Sequence, residues 1–341
     1  MRDPHGRGGG AVGGRVVFGN KDLMRCRFAV SPLWETFAAV HTLFEPHRQG
    51  FHLPWVRAAR LPEGVDPAPF RLLLPRPGYV PDFLTPPPLG PLASIEEELE
   101  RLRATPPAQV GAELRACLLD PRRGLPASAT APLLADAAAT RDAMADLLAA
   151  CWEHLVRPHW PRLRALLDAD IADRSRTLAE HGLERLLPAL DGRLSWERGT
   201  LRVDSAAAPG ELRLDGRGLL LMPSAFVWPE LIVVGDEPWQ PTLIYPARGV
   251  GDLWSPPPGR PPEAVAAVLG RTRARLLAAL SRPETTTGLA ARLGLSPAGV
   301  SGHLTALRDA GLLDSWRSGR RVFYARSALG TALTGEDPDR P

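Results

Sequence analysis

The run Ser255-Pro256-Pro257-Pro258-Gly259-Arg260-Pro261-Pro262 sets the first limit on what this chain forms. Proline lacks an amide N–H and has a fixed φ, so such a run enters neither a helix interior nor a central strand. Its rings hold it extended, and residues 255–262 read as a stiff linker between two units with separate cores. A chain of 341 residues, 44% of them hydrophobic, has enough apolar surface for two such cores.

Before the linker, residues 1–20 are glycine-rich and are expected to be disordered. Gly8, Gly10 and Gly13 fit a dinucleotide-binding spacing, but no strand precedes them and a glycine tract meets that pattern by chance. Residues 21–254 form the N-terminal unit. Ser31-Pro32 opens a helix there, Ser as cap and Pro in the first turn. Further helices are expected over 95–103 and 109–119, over 131–156 as one long element, and over 160–190 with a break near Gly182. After Gly192 the apolar period changes to two, and short strands are expected over 194–203, 211–214, 219–222, 231–234 and 243–245. The fold class that follows is α+β: a mostly helical N-terminal domain with a small antiparallel sheet, then a C-terminal winged helix-turn-helix.

Charge supports that division. Residues 264–330 carry ten arginines and three acids, a net +7 in a chain of net +3. The positive charge is concentrated at one end, as a phosphate-binding surface requires. The last segment, 335–341, is a short acidic tail.

Within 263–334, residues 263–280 read as one amphipathic helix. Thr285, Thr286 or Thr287 can cap the next, over 288–293. Gly294 and Leu295 make a turn, and Ser296-Pro297 caps a third helix that runs to Asp309. A short helix, a three-residue turn and a longer helix make up the helix-turn-helix layout. At 100° per residue the third helix splits by face. Val300, Leu304 and Leu307 share a narrow apolar sector. Ala298, Ser301, Thr305 and Arg308 lie opposite, short or polar residues suited to a major groove. His303 flanks the apolar sector, suited to a phosphate or to edge packing. Two strands then flank Ser318-Gly319, with Leu313, Val322 and Tyr324 expected to face the core and Arg317, Arg320 and Arg321 ringing the tip as a basic wing.

These residues carry a resemblance. Leu289-Ala290-Ala291-Arg292-Leu293-Gly294-Leu295-Ser296, Val300-Ser301-Gly302-His303-Leu304, Leu307-Arg308-Asp309-Ala310-Gly311-Leu312-Leu313 and Gly319-Arg320-Arg321-Val322-Phe323-Tyr324 resemble the ArsR-type winged-helix transcription regulators. The resemblance implies operator binding to double-stranded DNA as a homodimer, usually in repression relieved by a signal. It implies recognition-helix contacts from Ser296, Ser301, His303, Thr305 and Arg308, and wing contacts from Arg320 and Arg321. The chain departs from the family at Gly302, where Arg, His or Gln is usual. The stretches 27–35 and 243–249 are similar to a domain preceding this motif in actinobacterial regulators, which implies an organisation but no chemistry.

Other classes are disfavoured. Cys26, Cys117 and Cys151 are too far apart for a disulfide framework or a thiolate metal site. His154 and His159, with Asp168 and Asp170, are the clustered metal candidates, but Pro158 and Pro161 interrupt the helix between them, and no metal or other cofactor is expected. Motifs for a nucleophile elbow, a zinc protease or a phosphate loop are absent, so no enzymatic activity is expected. The longest apolar stretch, 218–228, is too short to span a bilayer and contains Pro223; with no signal-peptide pattern, the chain is expected to be cytoplasmic with no membrane partner. Trp34, Trp55, Trp152, Trp160, Trp196, Trp228, Trp239 and Trp254 serve either core packing or a pocket for a small-molecule effector. The function expected is sequence-specific transcriptional regulation. The alternative is a protein-interaction module whose winged helix tethers a partner complex to DNA.

Overall fold

A computed structural model describes residues 13–45, 50–75, 78–205, 210–254, 263–280, 284–318 and 321–334. The chain divides into two compact units, Met1–Trp254 and Ser255–Pro341. The linker 255–262 and the acidic tail 335–341 lie outside the described residues.

The first unit opens with β1 (Gly14–Val17), α1 (Asn20–Leu23) and β2 (Arg27–Phe28). Ser31 then caps α2 (Pro32–Phe44), its Oγ accepting from the Trp34 amide at 2.9 Å. The helices α3 (Leu53–Ala58), α4 (Ala68–Leu73), α5 (Ile95–Ala104), α6 (Pro107–Leu118), α7 (Ala127–Ala135) and α8 (Ala137–Cys151) follow. A π-helical turn, Trp152–Val156, and a 3-10 turn, Arg157–His159, lead into α9 (Trp160–Leu190). The strands β3 (Leu194–Glu197), β4 (Thr200–Val203), β5 (Glu211–Arg213), β6 (Leu220–Ser224), β7 (Ile232–Val234) and β8 (Thr242–Pro246) complete the unit.

The class is α+β, as the sequence indicates, but the sheet differs in detail from the small antiparallel one expected. Two four-stranded sheets form, in the orders β3-β4-β1-β5 and β2-β6-β8-β7, and each contains parallel pairing. The second sheet is buried on both faces. Leu220, Met222 and Ile244 point into the core built by α2, α5, α6 and α8. Leu219, Leu221, Leu243 and Tyr245 point into a second core, shared with Val16, Leu201 and Leu212 of the first sheet and Leu186, Leu187 and Leu190 of α9. Strands covered on both sides read as continuous apolar runs, which is why 218–228 is the most apolar stretch in the chain.

Two expectations for this unit need correction. Residues 1–20 are not disordered throughout: Gly14–Val17 is an interior strand, antiparallel to β4 and parallel to β5. The alternation Arg15-Val16, with Val16 fully buried, is masked in sequence by the surrounding glycines. Gly8 and Gly10 lie outside the described residues. The long helix over 131–156 breaks at Asp136, whose extended backbone lets Oδ1 cap the Ala139 amide at 3.0 Å and start α8. The break in α9 falls at Gly182 as expected, at φ 70°. Asp170 of α9 is anchored to β8 by the Tyr245 hydroxyl at 2.9 Å and the Arg248 amide at 3.2 Å.

The second unit comprises α10 (Glu263–Leu269), α11 (Arg271–Ala279), β9 (Glu284–Thr285), α12 (Thr286–Leu293), α13 (Pro297–Asp309), β10 (Leu313–Ser318), β11 (Arg321–Arg326) and α14 (Ala328–Thr334). Here the single helix over 263–280 is corrected to two, because Gly270 adopts φ 80°, ψ 150°, outside the helical region. Val268 does not join the apolar side and is 84% exposed. β9 pairs with β11, giving a three-stranded sheet where sequence showed a hairpin. α14 packs so closely on the hairpin that a Cβ on Gly330 would lie 2.2 Å from the Leu312 carbonyl oxygen.

Candidate nucleic-acid interface

The helix-turn-helix is built from α12, the turn Gly294-Leu295-Ser296 and α13. Thr285 caps α12, its Oγ1 accepting from the Gly288 amide at 3.2 Å. Gly294 closes α12 in the left-handed conformation, φ 66°, and the Leu295 amide returns to the Ala290 carbonyl at 2.9 Å. Ser296 Oγ then accepts from the Gly299 amide at 3.3 Å, with Pro297 in the first turn of α13. A cap of this kind contributes about 1 kcal/mol. It also fixes where α13 begins and so which residues face outward.

The faces of α13 are distinct. Val300, Leu304 and Leu307 are buried against Leu276, Leu277 and Leu280 of α11 and its C-terminal end, Leu289 of α12, and Leu313 and Tyr324 of the hairpin. Truncating any of the α13 leucines in such a core costs about 2–5 kcal/mol. On the other side Ser296, Ala298, Ser301 and Arg308 are exposed, while Thr305 and His303 are half-buried. Gly302 is exposed too, with no heavy atom near the position of a Cβ. This helix therefore presents a shallow polar surface. Arg308 does not extend freely from it: its guanidinium donates to Asp309 Oδ1 at 2.7 Å and 3.0 Å.

The hairpin pairs Leu313–Ser318 with Arg321–Arg326 in antiparallel register, Arg317 opposite Val322 and Ser318 opposite Arg321. Arg320 and the side chains of Arg317 and Arg321 lie outside the described residues. Leu313 and Tyr324 are buried, but Val322 is 40% exposed and does not reach the core. It pairs with Arg317, one register step before the last pair of the hairpin.

Part of the positive charge is engaged with the fold itself. Arg326 donates to the carbonyls of Leu277, at 2.8 Å, and Ala278, at 2.6 Å, and to Thr334 Oγ1 at 2.8 Å. Arg292 donates to the Ala279 carbonyl. Both guanidiniums thus close the C-terminus of α11, where unpaired carbonyls and the helix dipole favour a cation. Sequence reading counted these two arginines with the phosphate-facing ones. Their role was foreshadowed by Leu280, since no glycine follows α11 to cap it. Arg271, Arg273 and Arg275 on α11 are exposed.

In the first unit the sequence-derived metal candidates do not converge. Asp168 pairs with Arg164 at 2.9 Å, Asp170 binds Tyr245, and His159 lies edge-on to Trp254. Among the described residues no group of three His, Cys, Asp or Glu side chains is placed to hold a metal ion. No helix among them is long and apolar enough to cross a membrane. Three carboxyls missed by sequence reading lie near the start of α2 or on the 3-10 turn Asp82–Leu84, Glu35 and Glu98 buried and Asp82 half-buried. Glu98 accepts from the Leu33 amide at 2.8 Å, and Glu35 from the Ala225 amide at 3.1 Å. Asp82 accepts from the Tyr79 hydroxyl at 3.0 Å. Burial pushes each of the three up to about 7, with Glu113 adding repulsion at Asp82.

Comparison with known proteins agrees with this geometry at the C-terminus. Residues 256–315 match a helix-turn-helix domain, and residues 106–251 match a family of unknown function, DUF5937. The C-terminal unit is a helix-turn-helix domain. A DNA-binding role in transcription regulation follows from it. No curated protein and no solved structure matches the chain significantly.

Proposed function

We propose that this chain is a sequence-specific transcription regulator of ArsR type, binding double-stranded operator DNA as a homodimer and acting as a repressor. The observation that carries the reading is the division of α13: Val300, Leu304 and Leu307 are buried, while Ala298, Ser301 and Arg308 face outward. In this reading α13 enters the major groove, where Ser301 and Thr305 approach base edges or phosphates and Arg308 forks onto guanine. Ser296 and His303 meet backbone phosphates, and the wing, with Arg317, Arg320 and Arg321, follows the adjacent groove. The exposed apolar side chains of Val268, Leu329 and Leu333 on α10 and α14 support pairing with a second copy. The N-terminal unit, in this reading, senses a small molecule and contributes to dimerisation. The proposal assigns the chain no catalysis and a cytoplasmic location.

An electrophoretic shift on DNA upstream of the protein's own coding region tests the reading. Binding should be sequence-dependent and should weaken steeply with salt, because each neutralised phosphate releases counterions. Folded protein that shows no sequence-dependent shift at low salt would refute it. A second reading, in which the first unit docks a protein partner, is favoured by the exposure of Met24 (82%), Leu89 (75%) and Leu92 (66%). A lone dimer in light scattering of cell-purified protein would count against it.

A further inference from the structure

One surface of the first unit has the form of a small-molecule site. The π-helical turn Trp152–Val156 and the 3-10 turn Arg157–His159 form one wall of a partly open recess of about 320 Å³. Leu155, Pro158 and His159 come from that wall, Trp55 and Arg60 from α3 and the residues just after it, and Trp254 closes the end. The volume lies at the lower end of the range for ligand pockets. π-helical turns are rare, and they recur at functional sites.

The walls are aromatic and fixed in position. The Trp254 indole stacks on Trp55, with centroids 5.8 Å apart and planes 22° apart, and meets the His159 ring edge-on at 5.2 Å. Trp254 Nε1–H donates to His52 Nδ1 at 2.8 Å. That bond leaves His52 Nε2 as the protonated nitrogen, and it donates to the Ala225 carbonyl at 2.9 Å. Burial pushes the His52 imidazole down to about 4, so this neutral tautomer persists through physiological pH. A buried histidine thus holds the indole plane in place before any ligand arrives. Core packing alone would not need the Trp254 indole left half-buried beside a recess.

Charge selects the ligand class. Aromatic faces by themselves attract cations through the ring quadrupole, so the charged groups at the rim decide the sign of the ligand. The lining here has no acidic residue, and Arg60 stands at its rim, its Nη1 donating to the carbonyls of Arg57 and Ala59 while its other N–H groups remain available. Burial and the nearby Arg162 lower the His159 pKa. We infer that this recess is a binding site for a planar aromatic anion, its ring packed against the wall that Trp55, Trp254 and His159 form and its acidic group toward Arg60. Trp254 is also the last residue before the linker begins, so such a ligand would contact the chain at its exit toward the DNA-binding unit. The inference rests on the sensing role proposed above only for what the ligand's binding accomplishes.

Isothermal titration of the full-length chain with 1-naphthoate, in the absence of DNA, tests it. One-to-one saturable binding is expected. Ala58→Phe, at an exposed lining position, should fill the recess and weaken binding about tenfold or more. Arg60→Gln, at the solvent-exposed rim, should weaken it roughly threefold to fivefold. Naphthalen-1-ylmethylammonium should bind at least about tenfold more weakly than 1-naphthoate. Absence of saturable binding, unchanged binding in both variants, or equal binding of the cation would overturn the inference. Because no DNA is present, a negative titration leaves the operator-binding reading standing, and a missing operator shift has no bearing on whether naphthoate binds.

Discussion

Arg308 donates two hydrogen bonds to the carboxylate of its neighbour Asp309, at 2.7 and 3.0 Å, on the outward side of α13. The pair is exposed, so it holds the guanidinium only weakly. On DNA the arginine must exchange that carboxylate for a base edge or a phosphate, and the aspartate then faces the backbone. Asp309→Asn is expected to raise operator affinity about threefold or more, as the repulsion and the competing acceptor are removed together. A fluorescence-anisotropy titration reads the change, and unaltered or weaker affinity would contradict it.

Arg308→Ala and the wing variant Arg320→Ala with Arg321→Ala should behave differently. The first should cost about 1–3 kcal/mol on the preferred operator and relax discrimination at one base pair. The second should weaken all DNA alike and reduce the salt slope by about two. Binding to operator and scrambled duplexes across a salt series separates the two, and matching profiles would show that the roles are wrongly assigned.

Arg292 and Arg326 form the opposite class of arginine. Removing Arg326 takes the side-chain donor from the Ala278 carbonyl and leaves the Leu277 carbonyl with only the Leu280 amide, and Arg326→Ala is expected to cost about 1–3 kcal/mol of stability. The salt slope of the remaining folded protein should stay as in the wild type. Thermal unfolding together with a salt series checks both parts. A changed slope with unchanged stability would place Arg326 on the DNA.

Two glycines of the same unit should respond in opposite ways. Gly302 lies in an exposed helical turn with open space where a Cβ would go, so Gly302→Ala should stabilise by roughly 0.5–1 kcal/mol. Gly330→Ala would drive a methyl into the Leu312 carbonyl, and a lower melting temperature is expected. Equal tolerance of both substitutions in a thermal melt would show that α14 does not pack as described.

The buried carboxyls give a pH signature. Glu35, Glu98 and Asp82 are raised in the folded state to about 7, so the stability associated with their protonated forms is complete below their unfolded values. It is lost as pH rises from about 4.5 to about 7. His52 acts in the reverse sense, since its depressed value favours the fold above its unfolded value and is lost as pH falls toward about 4. Three carboxyls against one imidazole leave a net fall in stability between roughly pH 5 and 7.5. Glu35→Gln removes one of the three, so its melting temperature should decline less over that range. Parallel curves for wild type and variant would exclude Glu35 as a source of the slope.

What sequence revealed and what it hid have separate physical causes. The caps at Ser31 and Ser296, the turn at Gly294 and the apolar stripe Val300-Leu304-Leu307 depend on neighbours a few residues away, and local chemistry determines them. The strand Gly14–Val17 depends on partners nearly two hundred residues distant, and its glycine surroundings conceal its alternation. The break at Gly270 was missed because an isolated glycine is tolerated within many helical patterns. The structural duty of Arg326 was hidden for a similar reason. Its carbonyl partners are almost fifty residues away, and a count of charges cannot separate a helix clamp from a phosphate contact.

The position of β1 has a consequence for how this protein is made. Among the described strands it is the first to be synthesised, yet it lies between β4 and β5, which follow nearly the whole helical layer. Until roughly residue 213 has emerged, β1 lacks a full set of neighbours and the first sheet cannot close. Folding of the N-terminal unit is therefore committed late in translation, with an early strand held in waiting through most of synthesis.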